Sequence, residues 1–272
     1  MKRRTVLRSV VWAIIAQAFA ASDGPQLPQD YLQFDGSKTQ YVEVADPETE
    51  DFSVTTTRAL TISAWMRPDA LRFEITEGSG YVHWLGKGGL NRQEWVFRMY
   101  SDDNTEMREN RISFYVFNPG PGRGCGSYFQ DPIEAGKWIH VVGMIDAMVE
   151  TTSIYKNGEW RNTNSYAGII DPAHGTAPLR LGTRDFASFF QGALAEVRVW
   201  NRLLSDEEIR ELYASGVVPP EGLVAEYLLN EGKGDIAHDT VSGYDGTVFG
   251  AMWGSGKFPV DGSPATRSGG GC

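Results

Sequence analysis

Short segments in which apolar and polar residues alternate recur along the chain from residue 31 onward. In residues 60–67 the even positions, from Leu60 to Met66, are apolar, and the odd positions include Thr61 and Ser63. This two-residue period predicts a β-strand with one buried face, which Pro68 ends. Similar segments, bounded by turn residues, predict further strands at Tyr31–Phe34, Tyr41–Val44, Tyr81–Leu85, Glu94–Tyr100, Arg111–Asn118, Trp138–Asp146, Ser153–Lys156, Leu179–Leu181 and Ala193–Trp200.

One short helix is predicted after the last of these strands. Ser205 stands three residues before Glu208, the spacing of a capping box, and Gly216 follows where a left-handed residue ends a helix. Residues 223–253 hold more strand-like segments, which either complete the same sandwich or begin a truncated second repeat. Few residues follow them, so we expect the first. No strand–helix–strand alternation occurs, which excludes a doubly wound parallel sheet and predicts an all-β, two-sheet antiparallel sandwich.

The N-terminus has the three parts of a secretory signal peptide. Four basic residues, of which Arg8 is the last, precede the apolar run 10–20, which ends in Ala18-Phe19-Ala20. The basic segment also resembles a twin-arginine signal, and a buried N-terminal helix is the alternative. We expect a signal peptide over 1–20, a linker over 21–30, a sandwich over 31–258 and a disordered Gly/Ser-rich tail over 259–272. The protein is thus expected to be secreted, extracellular or periplasmic.

The negative net charge of the chain limits the classes of ligand that it can bind. The chain has a formal net charge of −10. Four of its 25 cationic residues and none of its 35 acidic ones lie in residues 1–20, so the mature chain would carry −14. Such a protein should repel nucleic acids and anionic lipid surfaces. The charge also argues against strongly anionic polysaccharides unless a local basic groove exists. No internal apolar run is long enough to span a membrane.

The two cysteines are Cys125 and Cys272. An oxidising compartment would permit a disulfide between them. The alternative is that Cys272, which follows Ser268-Gly269-Gly270-Gly271, is a free thiol on a flexible tail.

The segment from Phe189 to Ile209, with Glu196-Val197-Arg198-Val199-Trp200-Asn201-Arg202 at its centre, resembles the closing motif of laminin-G-like (concanavalin A-like, pentraxin-like) jelly rolls. Four weaker phrases, at 34–36, 60–68, 136–142 and 154–159, add to the resemblance. It implies a jelly-roll sandwich in which Trp65 and Trp138 anchor the core and Asn157-Gly158 forms a hairpin turn. Proteins with this fold serve as lectins, adhesion modules and enzymes, so the fold does not determine the function.

A non-catalytic lectin-like module is the expected function, with a polysaccharide or a glycoprotein glycan as the partner. The aromatic residues in predicted loops that could stack on sugars are Tyr128, Phe129, Tyr166 and Phe186. The alternative is that they close the ends of the sandwich. Calcium is the metal to consider, with Asp35 as the candidate ligand, and the alternative is that the turn aspartates only cap their own backbone. Ala195, however, stands where relatives carry an acid before the Glu-Val-Arg phrase.

A polysaccharide-active enzyme and a structural adhesion protein are the alternatives to a lectin-like module. No strand carries the paired carboxylates of a retaining glucanase. A polysaccharide lyase would need a proton-transferring Tyr or His and a cation for the uronate, for which the candidates are His83, Arg98, Tyr100, Tyr115 and His140. The sequence favours a simpler interpretation, in which Arg98 is a surface cation and His140, in its Trp-x-His-Val phrase, is a residue that serves the fold. The third class is a structural adhesion protein whose rim binds another protein.

Overall fold

The computed structural model describes residues 24–118 and 123–262, and it is almost entirely β-structure. The strands are β1 (Asp30–Asp35), β2 (Tyr41–Val44), β3 (Ala59–Pro68), β4 (Tyr81–Gly89), β5 (Arg92–Tyr100), β6 (Ile112–Phe117), β7 (Gly124–Phe129), β8 (Ile139–Asp146), β9 (Thr151–Lys156), β10 (Glu159–Ser165), β11 (Leu179–Leu181), β12 (Gln191–Trp200), β13 (Leu223–Tyr227), β14 (Ile236–Ala237), β15 (Gly246–Phe249) and β16 (Met252–Ser255). The two helices in the described part are α1 (Val54–Thr57) and α2 (Asp206–Ser215).

The strands form two antiparallel sheets that pack face to face. Sheet A has the order β10-β9-β8-β3-β12-β1-β16, with β13 also paired to β12, and sheet B has the order β14-β15-β2-β11-β4-β5-β6-β7. The core lies between them, and it holds the even-numbered residues of β3 from Leu60 to Met66 together with Phe97 and Phe114 of sheet B. The predicted two-sheet jelly-roll sandwich is confirmed.

Each strand predicted by alternation is present, whereas β7 and β10 were missed. Strand β7 has the sequence Gly124-Cys125-Gly126-Ser127-Tyr128-Phe129, and its two glycines hide the strand pattern. Tyr128 and Phe129 therefore lie on a strand and not in a loop, as the sequence suggested. The predicted Asn157-Gly158 turn is present, because both residues have positive φ, 52° and 77°.

The C-terminal block completes the same sandwich. Strand β13 pairs with β12, β16 pairs with β1, and β15 pairs with β2. The block thus adds strands to both sheets, which is the outcome expected over a second repeat. Val260 forms a bridge with Trp138, and the Asp261 carboxylate lies 3.5 Å from the Lys156 ammonium. Contacts with the sandwich therefore extend past the boundary predicted at residue 258.

Helix α2 has the predicted caps and covers part of the outer face of sheet A. The Ser205 hydroxyl accepts from the Glu208 amide, the Glu208 carboxylate accepts from the Ser205 amide, and Gly216 is left-handed with φ 68°. Ile209 and Leu212 of the helix pack on Trp200. This packing ties the helix to the sheet through one apolar stripe.

Trp65 and Trp138 are buried as expected, but outside the central core. They lie on the outer side of sheet A in a cluster with Tyr31, covered by Leu27, Phe258 and Val260 and by Tyr213 of α2. Segments that flank the sandwich at both ends therefore bury these indoles.

Several predictions concern residues outside the described ranges. The signal peptide over 1–20 and most of the tail over 259–272 fall there, as does Cys272. Cys125 is buried on β7. Its pairing with Cys272 stays a prediction. In the described part, neither helix has the length and apolar character needed to cross a membrane.

Candidate functional site

The outer faces of the two sheets differ in what covers them. Two groups of outer side chains of sheet A are buried beneath α2 and the terminal segments, whereas Trp160 of β10 stays half exposed. On the outer face of sheet B, the side chains of Tyr81, Arg98, Tyr115 and Tyr128 are only partly buried. Sheet B therefore leaves a polar and aromatic surface in contact with solvent, and a ligand could reach it.

Strand register assembles this surface. His83 of β4 lies opposite Arg98 of β5, and Arg98 lies opposite Ser113 of β6. Ser113 in turn lies opposite Tyr128 of β7. Because side chains on alternate positions share a face, Tyr81 and Tyr115 lie on the same side as this row. We call Tyr81, Arg98, Arg111, Tyr115 and Tyr128 the arginine–tyrosine face.

Arg98 is the centre of the face. Its guanidinium carbon lies 4.5 Å from the ring centroid of Tyr81, 4.4 Å from that of Tyr115 and 5.2 Å from that of Phe117. These distances are those of cation–π contacts. Arg98 Nε donates to His83 Nε2 at 3.2 Å. In the described part of the chain, its two terminal nitrogens have no hydrogen-bond partner and no carboxylate within 4.0 Å, and neither is buried.

His83 holds Arg98 in place from below. Because Nε2 accepts from Arg98, the imidazole is neutral and carries its proton on Nδ1. That nitrogen lies 3.1 Å from Glu77 Oε2 and 3.9 Å from Asp185 Oδ1. The ring is fully buried, and the backbone amide of His83 donates to the Ser188 hydroxyl at 3.0 Å.

The pKa shifts agree with a neutral histidine. Burial, followed by the charges of Arg184 and Arg98, holds the pKa of His83 well below its usual value. Burial, followed by the Asp185 carboxylate, raises the pKa of Glu77, although Arg184 and Arg98 oppose the shift. Burial also raises the pKa of Tyr115, against the lowering effect of Arg98. At neutral pH the phenol of Tyr115 is therefore protonated.

A second arginine lies near the same face. The Arg111 guanidinium stacks 3.8 Å from the ring centroid of Tyr128, and its Nε and Nη2 donate to Gln130 Oε1 at 3.1 and 2.9 Å. No carboxylate among the described residues lies within 4.0 Å of it. Arg108, by contrast, pairs with Glu106 at 2.6 Å and donates to the Tyr100 hydroxyl. Among the described residues of this face, Arg98 and Arg111 are therefore the arginines without a directly paired carboxylate.

Two glycines of β7 make room for the rings. A Cβ at Gly126 would overlap the carbonyl oxygen of Phe114 and lie 2.8 Å from ring carbon Cδ2 of Tyr115. A Cβ at Gly124 would lie 2.5 Å from the ring of Phe117. The ring of Phe117 therefore occupies the space above Gly124, and the edge of the Tyr115 ring lies against Gly126. The composition that hid β7 in the sequence is what shapes this part of the face.

The sequence profile of the concanavalin A-like lectin/glucanase superfamily, in its laminin G form, matches residues 35–210, more than half of the chain. The chain belongs to this superfamily. Comparison with curated proteins gave no match. The family assignment agrees with the strand order and confirms the resemblance inferred from the motifs.

Several solved structures have the same fold as this chain. A Bacteroides ovatus protein proposed to bind carbohydrate aligns with a TM-score of 0.61 at 20% identity, over 88% of this chain and 62% of its own. A heptameric SAP-like pentraxin from Limulus polyphemus aligns at 0.56 and 13%, over 84% and 95%. The binding domain of botulinum neurotoxin serotype D aligns at 0.50 and 13%, over 76% and 48%. The chain thus spans less than two thirds of the Bacteroides protein, and these identities establish the fold alone.

The structure brings together four of the five lyase candidates. His83, Arg98 and Tyr115 meet as described, and Tyr100 lies beside Tyr81 with ring centroids 5.3 Å apart. His140 is on sheet A instead, buried between the rings of Trp65 and Tyr213 at 5.0 and 6.1 Å. It cannot act together with the other four.

The four aromatic candidates are divided between core and surface. Phe129 and Tyr166 are fully buried in the central core, which is the alternative that the sequence allowed for them. Tyr128 belongs to the arginine–tyrosine face. Phe186 is 44% exposed but packs on Tyr41, 5.0 Å between centroids, and on Arg180. It lies on a different part of sheet B.

The ligating side chains do not gather around Asp35. Its carboxylate accepts from the Ser37 amide at 2.8 Å, as a turn aspartate does. Among the described residues, the one group of three potential ligands is Glu77, His83 and Asp185. A metal on His83 Nδ1 would need the proton on Nε2, where Arg98 already donates. The hydrogen bond from Arg98 therefore disfavours a metal on His83, and a set that includes a histidine nitrogen does not fit calcium, which prefers oxygen ligands.

Sequence reasoning missed several members of the site. Tyr81 could have been found, because it lies two residues before His83 on a predicted strand. Glu77, Arg184 and Asp185 lie outside the strands, where no periodicity marks them. Arg111 was included in a predicted strand, but only the fold brings it against Tyr128.

Proposed function

We propose that this protein is a secreted, non-catalytic glycan-binding module that binds its ligand on the arginine–tyrosine face. One observation carries the proposal: the Arg98 guanidinium lies between two tyrosine rings on the open face of the sandwich, with two nitrogens free to donate. Sugars present apolar C–H patches next to hydroxyl groups. Partly exposed aromatic rings can stack on the patches, while fixed donors orient the hydroxyls.

The carbohydrate-binding relative supports this proposal at the level of the fold. The support is indirect, since function depends on the site and not on the architecture. The contribution of this chain is local. Tyr115 offers a partly exposed ring that lies against Gly126, and Arg98 offers a fork of donors held by a buried histidine.

A lyase is the second candidate, because His83, Arg98, Tyr100 and Tyr115 share one face. The environment of each proton-transferring group favours binding instead. His83 is fully buried, and its Nε2 already accepts from Arg98. Tyr100 is 2% exposed, and its hydroxyl accepts from Arg108. The raised pKa of Tyr115 makes its phenolate scarce, although the protonated phenol remains able to donate to a ligand.

The test is retention of the purified chain on a polysaccharide panel, with cleavage followed in the same samples. We expect retention without turnover, and Tyr115→Ala should lower affinity about tenfold or more, the size of a lost aromatic anchor. Trp160→Ala is the matched control, because Trp160 is half exposed on β10 of the other sheet. Formation of unsaturated products would favour the lyase, and equal loss in both variants would place the site elsewhere.

Two further parts of the proposal need their own measurements. Export is checked by the N-terminal sequence of protein recovered from outside the cytoplasm, which should begin near residue 21. Calcium dependence, inferred from the family resemblance, is checked by repeating the binding assay with a chelator and then with added calcium. Binding through the arginine–tyrosine face should survive the chelator, because the donors on that face are protein groups.

A further inference from the structure

Most arginines in the described chain have a carboxylate partner, as Arg184 does in Asp185 and Arg198 in Glu226. Arg98 is held differently. Its positioning partner is the neutral imidazole of His83, which accepts a hydrogen bond but supplies no negative charge. The side chain is thereby oriented without a carboxylate within 4.0 Å among the described residues, although Glu77 is near enough for Arg98 to act on its pKa.

Glu77 lies on the opposite side of the imidazole. His83 Nε2 presents its lone pair to Arg98, and Nδ1, which then carries the proton, lies 3.1 Å from Glu77 Oε2 without the geometry of a hydrogen bond. A protonated His83 could not accept from Arg98 and would repel it. The burial and the two nearby guanidinium groups that lower the pKa of His83 therefore also keep Arg98 in its orientation.

The free edge of Arg98 is the one suited to a carboxylate. With Nε engaged, Nη1 and Nη2 can donate in parallel to two oxygens of one planar anion. The rings of Tyr81 and Tyr115 flank the guanidinium and reduce its exposure to water, which strengthens its attraction for an anion. The same Tyr115 ring can stack on the sugar that carries the anion.

Arg111 extends the positive character of the site. It lacks a carboxylate partner, and its charge, like those of Arg98 and Arg108, acts on the pKa of Tyr115. Tyr115 therefore lies within the field of three cations. A polymer with a carboxylate on successive sugars could engage Arg98 and Arg111 together.

We propose that the ligand of this face is an acidic glycan whose sugar carboxylate is bound by the Nη edge of Arg98 while its ring stacks on Tyr115. This inference rests on the proposed glycan-binding function and names its substrate class. Uronate polymers and sialylated glycans both carry such a sugar carboxylate. The local basic face answers the objection raised by a net charge of −10, because a ligand at contact distance experiences the near charges most strongly.

The experiment compares binding of the mature chain to a polyuronate, the same polymer with its carboxyl groups reduced to alcohols, a sulfated neutral polysaccharide and a sialylated oligosaccharide. We expect binding to the polyuronate or the sialylated glycan, and affinity for the reduced polymer lower by about ten- to a hundredfold. Equal affinity for the native and reduced polymers would overturn the inference and leave glycan binding standing. If the sulfated polymer bound as tightly as the polyuronate, the inference would also be overturned, because the face would then attract any polyanion. Failure of every carbohydrate would refute the proposed function itself.

Variants separate charge from geometry. Arg98→Lys keeps the charge but removes the fork, so we expect about a tenfold loss on the acidic glycan and none on neutral ones. Arg98→Gln should lose more. Arg111→Gln, nearer the edge of the sheet, should weaken the binding of the polyuronate but not of ligands with a single carboxylate. This variant tests the proposal if the Arg98 variants do not fold. Arg210→Gln on α2 is the control. Unchanged acidic-glycan affinity in folded Arg98→Gln would refute the assignment.

Discussion

Gly126→Ala is expected to disturb the fold and the site together. The new Cβ would overlap the Phe114 carbonyl oxygen and lie 2.8 Å from Cα and Cδ2 of Tyr115, closer than side-chain carbons pack. The obstacle on one side is backbone, which cannot rotate away, so β6 and β7 must separate locally or the Tyr115 ring must turn. Overpacking of this kind costs about 1–3 kcal/mol, and a backbone clash belongs in the upper half of that range.

A loss of about 2–3 kcal/mol in a sandwich of this size corresponds to a fall in Tm of about 4–12 °C. Thermal denaturation followed by circular dichroism measures it, and glycan affinity is measured on the folded variant at low temperature. We expect both to fall, because the ring that moves is the proposed stacking platform.

Gly89→Ala is the matched control. Gly89 also lies in sheet B, but a Cβ there would meet only Ala177 Cβ at 3.8 Å, an ordinary contact. Its Tm should change little or rise slightly, because alanine reduces the entropy of the unfolded chain. If Gly126→Ala left both Tm and affinity at the values of Gly89→Ala, the account of how β7 supports Tyr115 would be wrong.

Three further changes test other parts of the structure. Burial and the Arg198 charge lower the pKa of His140 to about 3, so its contribution to folding stability is complete above the unfolded value of 6.5 and is lost as the pH falls toward 3. Between pH 7 and pH 4, His140→Leu should therefore lose less stability than the unmodified protein, as measured by denaturant titration. Ser205→Ala removes the hydroxyl of the α2 capping box and should cost about 1 kcal/mol by urea denaturation, with exposed Ser215→Ala near zero. Lys87→Met leaves the buried carboxylate of Glu94 without its ammonium and should cost about 3–5 kcal/mol, and adding Glu94→Leu should restore part of it; no restoration would contradict the pairing.

The strands were predictable where alternation was strong. The even positions of β3 face the core because a one-residue shift would expose the whole apolar set, so the pattern alone specifies the face. The caps of α2 were equally local, since Ser205, Glu208 and Gly216 act on backbone groups within a few residues. By contrast, β7 was missed because Gly124 and Gly126 have no side chains to show a pattern.

The site was predictable only in part. Alternation places Tyr81 with His83, and Arg98 with Tyr100, but the adjacency of His83 and Arg98 depends on the pairing of β4 with β5. The same limit applies to His140, which resembles His83 in the sequence but lies in the other sheet beneath α2.

By itself, the sequence determined the all-β class, the strand faces, the capped helix and the superfamily, because each depends on local periodicity or on short motifs. Only the tertiary structure decided that α2 and the terminal segments cover part of sheet A, that Tyr81, Arg98 and Tyr115 of sheet B face solvent together, and that Arg98 is held by a neutral histidine. These features depend on contacts between residues far apart in the chain. An acidic chain can therefore carry a basic face: net charge sums over all residues, whereas a ligand responds to the few that the fold brings within contact distance.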